Sequence, residues 1–153
     1  ALIRKWTDDI DFGRVIPLVA LDEDRIVGDG TLHIAPQGWM RHVGQSRLVT
    51  ARSHRGTGLG TLIARDLVAL AAERDLQKLQ AHVIEDSNGP VRMFKAAGFN
   101  KVAVVKSLVR DQHGTERDLA IMINDVGCLT QIMEDWIQDM TIPAFRGSGE
   151  GSY

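Results

Sequence analysis

Two hydrophobic periods alternate along the chain. From Arg14 to Leu21, "RVIPLVAL" is β-branched and apolar, "DEDR" has turn chemistry, and "IVGDGTLHIA" resumes the pattern, which together predict a β-hairpin. A third strand is predicted at residues 46–51, "SRLVTA", after the loop "PQGWMRHVG". The period then changes. Leu59, Leu62, Ile63, Leu67, Leu70 and Ala71 recur at helical spacing while Arg65, Asp66, Glu73 and Arg74 fall mostly on the other side, so a long amphipathic helix with one face on a sheet is predicted.

Beyond it, residues 79–85, "LQAHVIE", have the length and composition of a short buried strand. "DSNGP" is loop chemistry that can also start a helix, with Pro90 near the first turn, and a short helix to Ala97 is closed by Gly98. "KVAVVKSLVRD" and "ERDLAIMIN" flank "QHGT" and predict a second hairpin. Residues 128–140 form a further amphipathic pattern, with Leu129, Ile132, Met133, Trp136, Ile137 and Met140 on one stripe. Residues 141–153, ending in "RGSGEGSY", predict a flexible tail. The order contains one plausible parallel crossover, from the third strand through the long helix to the fourth. The expected fold class is therefore α/β in the α+β sense: a mixed, mostly antiparallel central sheet with helices on both faces.

Composition narrows the function. At 153 residues the chain fits one domain with a real core, and a formal net charge of −2 with a pI near 6.2 offers no global field for nucleic acid or an anionic membrane. Any anion must be bound locally. The single cysteine, Cys128, excludes an internal disulfide framework, and no apolar run approaches the roughly 18 residues of a membrane span, which together predict a cytoplasmic protein. His33, His42, His54 and His113 show no zinc-ligand spacing, so no metal is expected.

The local anion site is "RGTGLGT", residues 55–61, three glycines at alternate positions behind an arginine and at the head of the long helix. The first N–H groups of a helix lack internal acceptors and carry the positive end of its dipole, and Arg55 adds a charge-assisted partner. A phosphate fits there. A P-loop would need Lys and Ser or Thr after the last glycine, but Gly60 is followed by Thr61 and Leu62. A GxGxxG frame would need glycine at 61 or 63, where the chain has Thr61 and Ile63. The frame that remains is RxxGxG, Arg55 to Gly60.

With that frame, "LVTARSHRGTGLGTLIARDLVALAAER" resembles the strand, pyrophosphate loop and helix of the GNAT superfamily of acetyl-CoA-dependent N-acyltransferases. "NGPVRMFKAAGF", residues 88–99, is similar to that family's Asn, short helix and Gly-Phe. The resemblance covers roughly residues 14–124 and implies an acyl-CoA-binding domain over 1–127 with acetyl-CoA as co-substrate. By resemblance, Leu48, Val49 and Thr50 hold the pantetheine arm through backbone hydrogen bonds, and Gly56, Thr57, Gly58, Leu59, Gly60 and Thr61 cradle the pyrophosphate with Arg55 at its edge. Asn88 or Ser87 stands beside the pantetheine, Phe94 lies in the short helix, and Lys95 or Arg92 meets the 3′-phosphate.

The implied reaction moves an acetyl group to a primary amine of a small molecule or protein, by direct attack through a tetrahedral intermediate. An alkyl amine with a pKa of about 10.4 is protonated at pH 7, so a base or a desolvating site is required. His82, twelve positions before Phe94, is the first candidate, and Glu85, at the strand end next to Asp86, is the second. Many family members place a tyrosine acid where this chain has Phe94, and its only tyrosine is Tyr153. That departure, and the 13 residues ahead of the first strand, which suggest a shortened N-terminus, keep a non-catalytic acyl-CoA-binding or sensing domain as the alternative. The stripe around Trp136 suits either packing on the chain's own sheet or a homodimer.

Overall fold

The computed structural model describes residues 11–127, except Phe12 and Pro36. Strands β1 (Val15–Asp22) and β2 (Arg25–Ile34) form the first predicted hairpin, and β3 (Val43–Thr50) pairs antiparallel with β2. A one-turn helix, Arg52–His54, leads into α1 (Leu59–Glu73), which returns the chain to β4 (Lys78–Ile84) parallel to β3. Helix α2 (Asn88–Ala96) and the hairpin β5 (Asn100–Arg110) and β6 (Glu116–Asn124) complete the described elements. The sheet order is β1-β2-β3-β4-β6-β5, with β3–β4 as its parallel pair. This is the mixed, mostly antiparallel architecture that the sequence predicts. The predicted helix at 128–140 and the tail at 141–153 lie outside the described residues.

The helix period is explained by what it buries. Ile63, Ala64, Leu67 and Ala71 of α1 join Leu32, Leu79, Ala81 and Met122 of the sheet in one core. A Cβ on Gly30 would lie 2.7 Å from Ile63 Cγ2, so α1 crosses β2 at a distance that only glycine permits. Helix α2 packs on the same face: Phe94 joins this core and meets Phe99 edge-on, ring centroids 5.0 Å apart. The opposite face carries Thr31 and His33 of β2, Gln45 and Arg47 of β3, and Gln80 and His82 of β4.

Helix α2 ends as its glycine predicts. Gly98, at φ 89°, donates to Lys95 O at 3.0 Å, and Phe99 N–H donates to Phe94 O at 3.0 Å, the paired bonds of a Schellman cap. The cap turns Phe99 into the core, where it is 1% exposed.

Two local features differ from expectation. Strand β3 begins at Val43 rather than residue 46, because His42 O accepts from both Gln77 N–H and Lys78 N–H, at 2.9 and 3.2 Å, tying its start to the start of β4. Tertiary pairing overrides the loop-like "HVGQ". Strand β5 carries a bulge between Val105 and Val109, with Ser107 at φ 49° and its N–H donating to Asp118 Oδ1 at 2.9 Å.

Candidate functional site

The central opening is created where β3 and β4 part. Their parallel register runs from Val43–Lys78 to Ser46–Ala81 and stops, although β3 continues to Thr50 and β4 to Ile84. Ser46 Oγ, donating to Gln80 O at 3.1 Å, is tied across the strands where they begin to separate. Ala51 N–H donates to Val27 O at 2.8 Å across an unbroken β2–β3 register. By antiparallel alternation Val49 and Arg47 therefore turn their backbone groups toward β2, whereas Leu48 and Thr50 turn theirs into the opening. Of the three predicted residues, Leu48 and Thr50 can pair with an extended ligand arm. Val49 lines the opening, but its own N–H and C=O are directed away from it.

A cleft of about 880 Å³ runs from this opening to the head of α1. The first helical hydrogen bond of α1 is Leu62 N–H to Gly58 O at 3.1 Å. The backbone N–H groups of residues 56–61 find no acceptor among the described residues. Gly58, at φ 88°, is the N-cap, and that conformation directs consecutive amides toward one side. Arg55, Gly56, Gly58, Gly60 and Thr61 line the cleft. Thr57 and Leu59 are not in that wall: Thr57 Oγ1 donates to His54 O at 2.6 Å, and Leu59 packs against the core.

Residue types without sequence signal hold this loop in place. His54 Nε2 lies 3.1 Å from Asp22 Oδ2, and its Nδ1 lies 2.9 Å from Ser53 Oγ, which fastens the loop to the β1–β2 turn. Asp22 is distant in sequence, and nothing local to His54 announces the contact.

Along the other wall, Ser87, Gly89, Pro90, Arg92, Met93 and Phe94 face the cleft. Asn88 is exposed and outside that wall, so Ser87 is the member of the Ser87/Asn88 pair that the fold brings to the site. Likewise Arg92 lines the cleft and Lys95 does not. Phe94, 6% exposed, has no hydroxyl to offer.

The two candidate bases are separated. His82 lines the cleft between two amides: Gln45 Nε2 is 3.5 Å from its Nδ1, and Gln80 meets its Nε2. Glu85 lies outside the cleft wall, where its Oε1 accepts from Lys101 Nζ at 2.6 Å and its buried Oε2 has no partner. Its charge is already compensated by an ammonium.

The cleft wall carries Arg47, Arg55 and Arg92 but no Asp or Glu among the described residues. Diagonal to Arg47 across the β2–β3 ladder, where it pairs with Gln45, His33 shares a hydrogen bond with Thr31 Oγ1 at 3.2 Å. Its pKa is held below the ordinary histidine value, first by burial and then by the Arg47 charge. Substituting Arg47→Gln is expected to move the His33 titration upward, followed through its ring protons by NMR. Because burial is the larger cause, the pKa should stay below 6.5 in the variant.

A family model described as the acetyltransferase (GNAT) family matches residues 2–99. Among solved structures, a ribosomal-protein-alanine N-acetyltransferase from Brucella melitensis is similar at 22% identity and a TM-score of 0.72, covering 81% of this chain and 76% of its own. A phosphinothricin acetyltransferase from Sinorhizobium meliloti in complex with AcCoA is similar at 20% identity and a TM-score of 0.72, covering 82% of this chain and 68% of its own. A spermidine N-acetyltransferase chimera from Vibrio cholerae and hSSAT is similar at 16% identity and a TM-score of 0.72, covering 84% and 77%. At these identities the likeness is one of fold. No curated protein matches the sequence.

Proposed function

This chain belongs to the GNAT acetyltransferase family, and from that premise we propose that it transfers an acetyl group from acetyl-CoA to a primary amine of a small molecule or protein. The observation that carries the proposal is the junction of the parted β3–β4 edge with the unpaired amides of residues 56–61 in one cleft. The residues fit the co-substrate. Amides 56–61 and Arg55 suit a diphosphate, Arg92 a further phosphate, and the backbone of Leu48 and Thr50 an extended amide-bearing arm. Acetyl-CoA supplies an acetyl thioester, whose carbonyl carbon takes the amine and whose thiolate departs.

The chain's own groups then have distinct tasks. His82, in the cleft beside Gln45 and Gln80, accepts the proton that the acceptor's ammonium must lose before its nitrogen can attack, directly or through water. Of the inward groups of Leu48 and Thr50, the Leu48 N–H, farther from the amide cradle than Thr50, is the one left to stabilise oxygen that gains negative charge, where a fixed donor supplies a few kcal/mol. Phe94 offers no proton to the leaving sulfur. A thiol pKa of about 8.5 lets the thiolate depart near neutral pH, with water completing the protonation.

Incubating the protein with acetyl-CoA and a panel of amines, and following free thiol, tests the proposal. His82→Ala is expected to lower kcat/KM by roughly a hundredfold, the usual scale of a lost general base. Glu85→Ala should have a far smaller effect on turnover, since its carboxylate is engaged by Lys101. Tight acetyl-CoA binding without thiol release on any amine would instead indicate an acyl-CoA-binding domain without catalysis.

A further inference from the structure

The distribution of charge around the cleft bears on what the acceptor must carry. Arg55 and Arg92 sit on the loop and helix that bracket the amide cradle, and a polyphosphate accounts for both. Arg47 stands apart. It projects from β3 one residue beyond the last β3–β4 pair, on the sheet face opposite α1, and it lines the cleft. His82 belongs to the same face, two residues along β4 from Gln80, which pairs with Gln45. An amine approaching His82 from this side therefore passes Arg47.

Among the described residues the Arg47 guanidinium has no ion pair and no carboxylate lines the cleft. Asp29, the acid nearest in register on that face, is paired across the ladder with Val49 and is not part of the cleft wall. The field of Arg47 is felt by His33 on the neighbouring strand. Such a mouth repels a second ammonium on the acceptor and attracts an anion, and a guanidinium can grip a carboxylate through two parallel hydrogen bonds.

We propose that the acceptor is an amine that also carries a carboxylate, an amino acid or short amino carboxylate, with Arg47 holding the carboxylate while the amine faces His82. This rests on the transferase reading of the cleft, and its selectivity excludes polyamines as good acceptors. Arg47 is here a specificity residue: it sets which amine is presented and leaves proton removal to His82.

The test compares amino carboxylates having aliphatic, aromatic and acidic side chains with their carboxamides and with short diamines. Two readouts are taken on the full chain: binding by calorimetry at saturating coenzyme A, and thiol release with acetyl-CoA. The amino carboxylates should exceed their carboxamides by about tenfold or more in both affinity and kcat/KM, the scale of a charge-assisted pair. Arg47→Gln should collapse that ratio, and Arg47→Lys should restore part of it. A merely structural role would lower both acceptor classes together and leave the ratio unchanged. Carboxamides or diamines that match the amino carboxylates overturn the inference, as does a ratio untouched by Arg47→Gln or failure of every amino carboxylate to bind. Amino carboxylate binding that is lost in Arg47→Gln but gives no thiol release would overturn the transferase reading and keep only the carboxylate-binding role of Arg47, whereas turnover confined to diamines would keep the transferase reading and overturn this inference.

Discussion

Gly58→Asp is expected to weaken coenzyme A binding by roughly a hundredfold while leaving the protein folded. A Cβ at Gly58 meets nothing within 4 Å, so the side chain has room. Aspartate is among the residues that tolerate a positive φ, at a cost in backbone strain at φ 88°, and it places a carboxylate beside the orphan amides and the positive end of the α1 dipole. Those are the donors assigned to the diphosphate. The variant sets a negative charge against the phosphates where the glycine offered only donors, a loss of about 3 kcal/mol, or roughly a hundredfold in Kd. Isothermal calorimetry measures the affinity and thermal denaturation the fold. Undiminished affinity would remove the cradle from the binding site, and a large drop in Tm would mean that the glycine is needed for folding instead.

The second large effect is on stability. Phe99→Ala deletes a ring that is 1% exposed, edge-on to Phe94 and part of the same buried core as Leu67, Leu79 and Met122. Truncating a buried phenylalanine costs roughly 3–5 kcal/mol, the lost transfer energy and the cavity together. For a chain of this length that lowers Tm by about 10 °C or more. Phe99→Leu, which keeps most of the volume, should recover much of the loss. The physical content of the Gly-Phe pair is thus architectural: Gly98 reverses the chain and Phe99 seals the core beneath the cleft floor.

Elements whose period is set by one buried face were legible in the sequence. Ile63, Leu67 and Ala71 recur as an α-helix demands and bury against the sheet, and Gly98 marked the end of α2 within one residue. The loop at 55–61 was legible as well, because three alternate glycines directly ahead of the helical period mark where the helix N-terminus lies. The parting of β3 and β4 was not. "RLVT" and "HVIE" read as ordinary strand on either side of the last paired residues, since pairing ends through geometry between strands and not through any residue that forbids it. The same limit hid the insertion of β6 between β4 and β5, the Ser107 bulge, and the contact of His54 with Asp22. In sequence His82 and Glu85, three residues apart, stand only as first and second candidates, whereas the fold puts the imidazole in the cleft and gives the carboxylate to Lys101.

The most direct measurement is a titration of ¹⁵N-labelled protein with coenzyme A, read at individual backbone amides. The resonances of residues 56–61 should shift most, accompanied by Leu48 and Thr50 but much less by Val49, whose N–H is turned toward β2. If the amides of 56–61 stay in place while saturation is reached elsewhere, the orphan donors at the head of α1 are not what holds the diphosphate.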